Sequence, residues 1–131
     1  MCPKREQMKS ILQDKTKKQC YLCMMIDGDT SVKTGLEEHH IFEGTARREL
    51  SEKYGMKVYL CQAHHRGDIH GSRRAVHRPD LNDYADFLHK EGQVAWMRDW
   101  MKKTFCTKQQ AEKMFRGIFG KSYIDLEDWE P

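Results

Sequence analysis

Proline is scarce in this sequence. Only Pro3, Pro79 and Pro131 are present, so few segments are interrupted by ring constraint alone. There is no run of about 18 apolar residues, which argues against a membrane-spanning helix. The first stretch, "MCPKREQMKSILQDKTKKQC", has no apolar signal core, so export is not expected. Internal repeats and low-complexity tracts are also lacking. Cysteine is sparse and odd in number: Cys2, Cys20, Cys23, Cys61 and Cys106. An odd set without an export signal argues against a disulfide framework, and the expected location is the cytoplasm, where thiols stay reduced.

The chain does carry material for one modest core. Its 131 residues suit a single domain, and three Trp, five Tyr and five Phe separate it from disordered chains. A core of that size gains from a staple. The net charge of +3 is small but uneven. Lys4, Arg5, Lys9, Lys15, Lys17 and Lys18 crowd the first twenty residues, Arg47, Arg48, Arg66, Arg73 and Arg74 follow, and the end, "YIDLEDWEP", is acidic. A basic body fits a polyanionic partner; an ordinary solvated surface gives the same composition.

Periodicity predicts a mixed α+β chain. Residues 4–19 are expected to form an amphipathic helix with Met8, Ile11 and Leu12 on one side. "CYLC" reads as a tight knuckle, and "MMIDGDTSVKTG" as a loop turning at Asp27-Gly28. Asp27-Gly28-Asp29 lacks the full pattern of a calcium loop. "LEEHHIF" and "MKVYL" read as strands around a short helix, "GTARRELSEKYG", closed by Gly55. Beyond Pro79 the pattern turns helical, with a split expected at Gly92. Thr107 and Gln110 suit a capping box for a last helix burying Ala111, Met114, Phe115 and Ile118. Trp96, Trp100, Phe115 and Phe119 read as packing.

Two short motifs carry the chemistry. Cys20-x2-Cys23 and Cys61-x2-His64 are knuckles with ligand spacing, and together they supply the four ligands of a tetrahedral zinc site. A closed four-ligand site is structural. Four buried reduced side chains would not account for the spacing of both knuckles. Near them lie further histidines: His39, His40, His65 and His70. Two adjacent histidines at a strand end can divide labour, one binding a divalent ion and the other taking a proton from water. An ion with open positions accepts a phosphate oxygen, so these parts suit phosphodiester cleavage. Surface or satisfied core histidines are the plain reading of any one of them.

The set "CxxC … EEHHIF … VYLCxxHH … H" resembles the HNH, or His-Me finger (ββα-metal), endonucleases. It is most similar to small zinc-containing phage and prophage members likened to recombination-enhancement nucleases. The core resemblance covers roughly residues 20–77, and "KYGMKVYLCQAHH" with the late "FGKSYI" extends it. The resemblance implies a ββα-metal, treble-clef-like core stapled by zinc, with an N-terminal helix and a helical extension over 80–119, all in one domain, 1–131.

The resemblance also implies roles. His40 matches the general base and His39 the neighbouring ligand of a catalytic Mg²⁺ or Mn²⁺. His65 matches a second ligand, with His70 a ligand instead of it or alongside it, and Cys20, Cys23, Cys61 and His64 match the structural zinc site. An imidazole-rich site also suits Ni²⁺. Asn82 is the only asparagine, so the family's central Asn has no counterpart. The implied activity is metal-dependent hydrolysis of DNA; Arg47, Arg48, Arg73 and Arg74 are the expected phosphate contacts, each also readable as a solvated helix charge. A homodimer, or a phage or host recombination or packaging protein, is compatible with it. Two rival readings remain: a non-catalytic zinc-stapled nucleic-acid-binding module, and a protein-interaction domain using the Trp- and Met-rich helices.

Overall fold

The computed structural model describes residues 9–42, 45–65 and 84–131. His70, Arg73, Arg74 and Cys2 lie outside them, as do the first residues of the expected N-terminal helix. The chain is mixed α+β. Its helices are α1 (Tyr21–Asp27), α2 (Thr45–Tyr54), α3 (Gln62–His65), α4 (Tyr84–Thr104) and α5 (Lys108–Phe119). Its strands, β1 (Glu37–His40) and β2 (Lys57–Leu60), pair antiparallel. The register sets Glu37 against Leu60, Glu38 against Tyr59, His39 against Val58 and His40 against Lys57. No helix among the described residues is long and apolar enough to cross a membrane.

The expected helix over 4–19 is not found in its described part, where only a 3-10 turn at Lys15–Lys17 is helical. The reason lies in β2. Its outer edge needs partners, and residues 10–13 supply them from side chains. Ser10 Oγ donates to the Lys57 carbonyl, and the Gln13 side-chain oxygen accepts from Tyr59 N–H at 2.8 Å. Ile11 N–H donates to the Gly55 carbonyl at 3.1 Å. A segment spread along a strand edge in this way cannot also close helical turns. All four residues of β2 are consequently buried.

Gly55 ends α2 with φ of +70°, a left-handed conformation that glycine adopts without a Cβ penalty. One turn earlier, within α2, Ser51 secures the exit from β1. Its buried hydroxyl accepts from Phe42 N–H at 3.1 Å and donates to the Phe42 carbonyl at 3.0 Å. Phe42 is thereby aimed into an aromatic core with Phe115, Phe119 and Tyr123.

Gly92 does not split the helix as expected; α4 runs through it without a break. The missing side chain gives clearance instead. A Cβ there would sit 3.2 Å from Ile41 Cγ2 and 3.3 Å from Phe42 Cε2. The capping box at Thr107 and Gln110 is present. The buried face of α5 is Ala111, Glu112, Phe115 and Phe119, whereas Met114, expected inside, is exposed because the helix phase favours Phe119. Buried Gln93 ties the last segment to α4, donating to Ser122 Oγ at 2.9 Å and accepting from Tyr123 N–H at 2.6 Å.

Gly55→Ala tests the strand-edge strap. The new Cβ would meet the Lys9 carbonyl and hold a left-handed φ at a cost of about 1–2 kcal/mol for the conformation alone. Urea denaturation of the metal-loaded protein is expected to show at least that loss.

Candidate metal centre and histidine faces

Four side chains from distant parts of the chain meet at one point. Cys20 is the N-cap of α1, its sulfur accepting from Cys23 N–H at 3.4 Å, so one turn presents both thiols. Cys61 follows β2, and α3 carries His64 three residues on. His64 Nδ1 lies 3.5 Å from Cys20 Sγ, 3.3 Å from Cys23 Sγ and 3.4 Å from Cys61 Sγ. Cys23 and Cys61 sulfurs are 3.9 Å apart. Tetrahedral zinc, with bonds of about 2.3 Å to sulfur and about 2.0–2.1 Å to nitrogen, spans edges of about 3.8 Å (S···S) and about 3.5 Å (S···N). The cluster therefore has the size and donor set to hold a metal ion such as zinc.

Electrostatics agree with that reading. Burial pushes the Cys20 thiol up and the Cys23 thiol up to about 12, where neighbouring thiols add to the effect. Thiolates packed so closely repel one another, and a divalent cation reverses the balance. Cys106, by contrast, is a free thiol away from the cluster, as its lack of ligand spacing suggests.

The cysteine–histidine cluster sets the position of His65, the next residue after His64. His65 is buried, and its Nδ1 lies 3.1 Å from Glu37 Oε1. Its ring meets that of His39 edge-on, with centroids 5.2 Å apart. A carboxylate on one imidazole nitrogen is the arrangement that orients metal-binding histidines through the other nitrogen. Glu37, His39 and His65 therefore share one face of the hairpin. The sequence hint was the alternation within "EEHH", which places residues 37 and 39 on the same side.

His40 is on the other face, where alternation puts it. Its Nε2 lies 2.5 Å from Glu52 Oε1 and 3.7 Å from Glu38 Oε1. Lys57, only 4% exposed, reaches Glu52 Oε2 at 3.2 Å and Glu38 Oε2 at 3.8 Å. Burial would raise the Glu52 pKa, but the hydrogen bonds from His40 and Lys57 outweigh it and hold the carboxyl below its usual range. The two adjacent histidines are thus in separate clusters. Glu52 and Lys57 had no signal in the sequence, because only the fold of α2 back onto the hairpin brings them to His40.

Arg47 and Arg48 are exposed on α2, and Arg47 Nη1 donates to the Tyr123 hydroxyl at 3.5 Å. Beside Glu38, Lys57 and Tyr59, on the His40 face, lies a groove of about 760 Å³ that Lys9 and Lys15 also line. An adjoining groove of about 390 Å³ brings in Lys18 and Lys33. Lysines are therefore concentrated beside Glu38 and Tyr59, on the face of the sheet that carries His40, a feature the N-terminal charge count hinted at without placing.

The purified protein is expected to carry one tightly held metal ion per chain at the cysteine cluster. Cys61→Ser should lower metal content several-fold and melt well below the parent, as read by elemental analysis and thermal denaturation. A strong chelator should reproduce that shift in the parent.

Compared with protein-family models, with curated proteins and with solved structures, the chain matches none.

Proposed function

We propose that this chain is a metal-dependent DNA endonuclease of the HNH, ββα-metal type, with a structural zinc at Cys20, Cys23, Cys61 and His64. The observation that carries the reading is the convergence on the hairpin of His39 and a carboxylate-held His65, placed there by the metal cluster. The order of β1, β2 and α3 along the chain fits that of a ββα unit. His39 and His65, with Glu37 behind, suit an Mg²⁺ or Mn²⁺ ion, and such an ion supplies positive charge to a bound phosphate.

His40 is the proposed base. It lies across the strand from His39, yet consecutive Cα atoms are only about 3.8 Å apart. The sheet has two strands among the described residues, so a phosphate along the outer edge of β1 meets both faces. His40 would hold the attacking water from one side while His39 and His65 serve the phosphate from the other. Lys9, Lys15 and Lys18 suit the flanking backbone phosphates, with Arg47 and Arg48 as further contacts. Such contacts are sequence-independent and weaken with salt.

One observation favours a second reading, a zinc-stapled nucleic-acid-binding module: the two adjacent histidines face opposite ways. Supercoiled plasmid separates the two. With Mg²⁺ or Mn²⁺, the parent should convert it to open circle, and His40→Ala at equal zinc content should lose at least about 100-fold of the rate. Gel retardation by both proteins without nicking by either would favour the binding module.

A further inference from the structure

We propose that Glu52 is the positioning residue of His40, setting which ring nitrogen faces the water, and that Lys57 holds Glu52 in that role. The proposal rests on the reading of His40 as the base.

The three residues come from three elements: the end of β1, the last turns of α2 and the start of β2. His40 and Lys57 are partners in the β ladder, so both lean from the same place on the same face. Glu52 spans them. One oxygen is 2.5 Å from His40 Nε2, and the other is 3.2 Å from Lys57 Nζ. A carboxylate with both oxygens engaged has little rotational freedom left. The buried Lys57 ammonium needs a nearby anion, so it draws the carboxylate toward the hairpin. Glu38, at 3.7 Å from the same ring nitrogen, is too distant to hydrogen-bond it and adds only charge.

A carboxylate can only accept, so the nitrogen it touches carries the proton. His40 Nε2–H then points at Glu52, and the lone pair stays on Nδ1. Nδ1 has no hydrogen-bond partner among the described residues and is the atom able to take a proton from water. Glu38, His40 and Glu52 also have the donor atoms of a cation site. Lys57 already places a positive charge against both carboxylates there, which favours the positioning role over a second ion.

Glu52→Gln tests the arrangement with little change of shape. Lys57 demands an oxygen, so the amide NH2 would turn to His40. Nε2 would then have to accept, and the proton would move to Nδ1, the nitrogen meant to act as base. The zinc-loaded full chain should stay folded, with a lower melting temperature because buried Lys57 loses its nearer anion, and keep its KM for plasmid within about twofold, while kcat falls at least about 100-fold. Ring ¹⁵N shifts of His40 should change from the Nε2–H to the Nδ1–H pattern. If Glu52→Gln does not fold, Glu52→Asp keeps the charge beside Lys57 and withdraws it from His40. Its kcat should fall about 10- to 100-fold with KM unchanged.

A kcat within twofold of the parent in the folded variant, with His40→Ala inactive, would overturn the role of Glu52 and leave His40 as the base. An unchanged His40 tautomer would overturn it too. Full nicking by His40→Ala would instead overturn the base reading, and this proposal with it.

Discussion

The contact on which the rest of the molecule depends is the meeting of Cys20, Cys23, Cys61 and His64. Among the described residues the sheet has two strands of four residues each, and α3 covers four residues. Pieces so short do not hold together on hydrogen bonds alone. A metal-sized cluster that joins the start of α1 to the end of β2 and to α3 supplies what those pieces lack. A cation held there would also accommodate buried thiols with raised pKa values, by removing the repulsion that burial makes costly.

From that point the geometry of the hairpin follows by alternation. One face, Glu37 and His39, looks toward His65, which the cluster places. The other, Glu38 and His40, looks toward Glu52 and Lys57 and opens on the lysine-lined grooves. Two of the histidines are tied to glutamates, His65 to Glu37 and His40 to Glu52. The α4–α5 pair stands behind the hairpin and builds the aromatic core around Phe42, with Gly92 providing the clearance. Ser51 links the two regions, because it holds the backbone of the residue that leaves β1 for that core.

Much of this was legible in the sequence where the information is local. Knuckle spacing gave the four members of the cluster, alternation and turn residues gave both strands and α2, and Thr107 with Gln110 marked the start of α5. What was not legible depends on distant partners. Residues 10–13 have a helical pattern of apolar positions, but the edge of β2 offers their polar groups a better use. Gly92 reads as a breaker until Ile41 and Phe42 are seen against it. Glu52 and Lys57 are ordinary surface residue types in a helix and a strand, and only their approach to His40 gives them a role. The adjacency of His39 and His40 suggested a shared site, whereas strand geometry parts them.

The central claim, that the cysteine cluster is a metal site organising the hairpin, is tested most directly by X-ray absorption at the zinc edge of the purified protein. The account predicts a first shell of three sulfurs at about 2.3 Å and one nitrogen at about 2.0–2.1 Å. A shell rich in oxygen, or one with two sulfurs and two nitrogens, would contradict it. So would a folded protein that holds no metal while its three cluster thiols react freely with a thiol reagent.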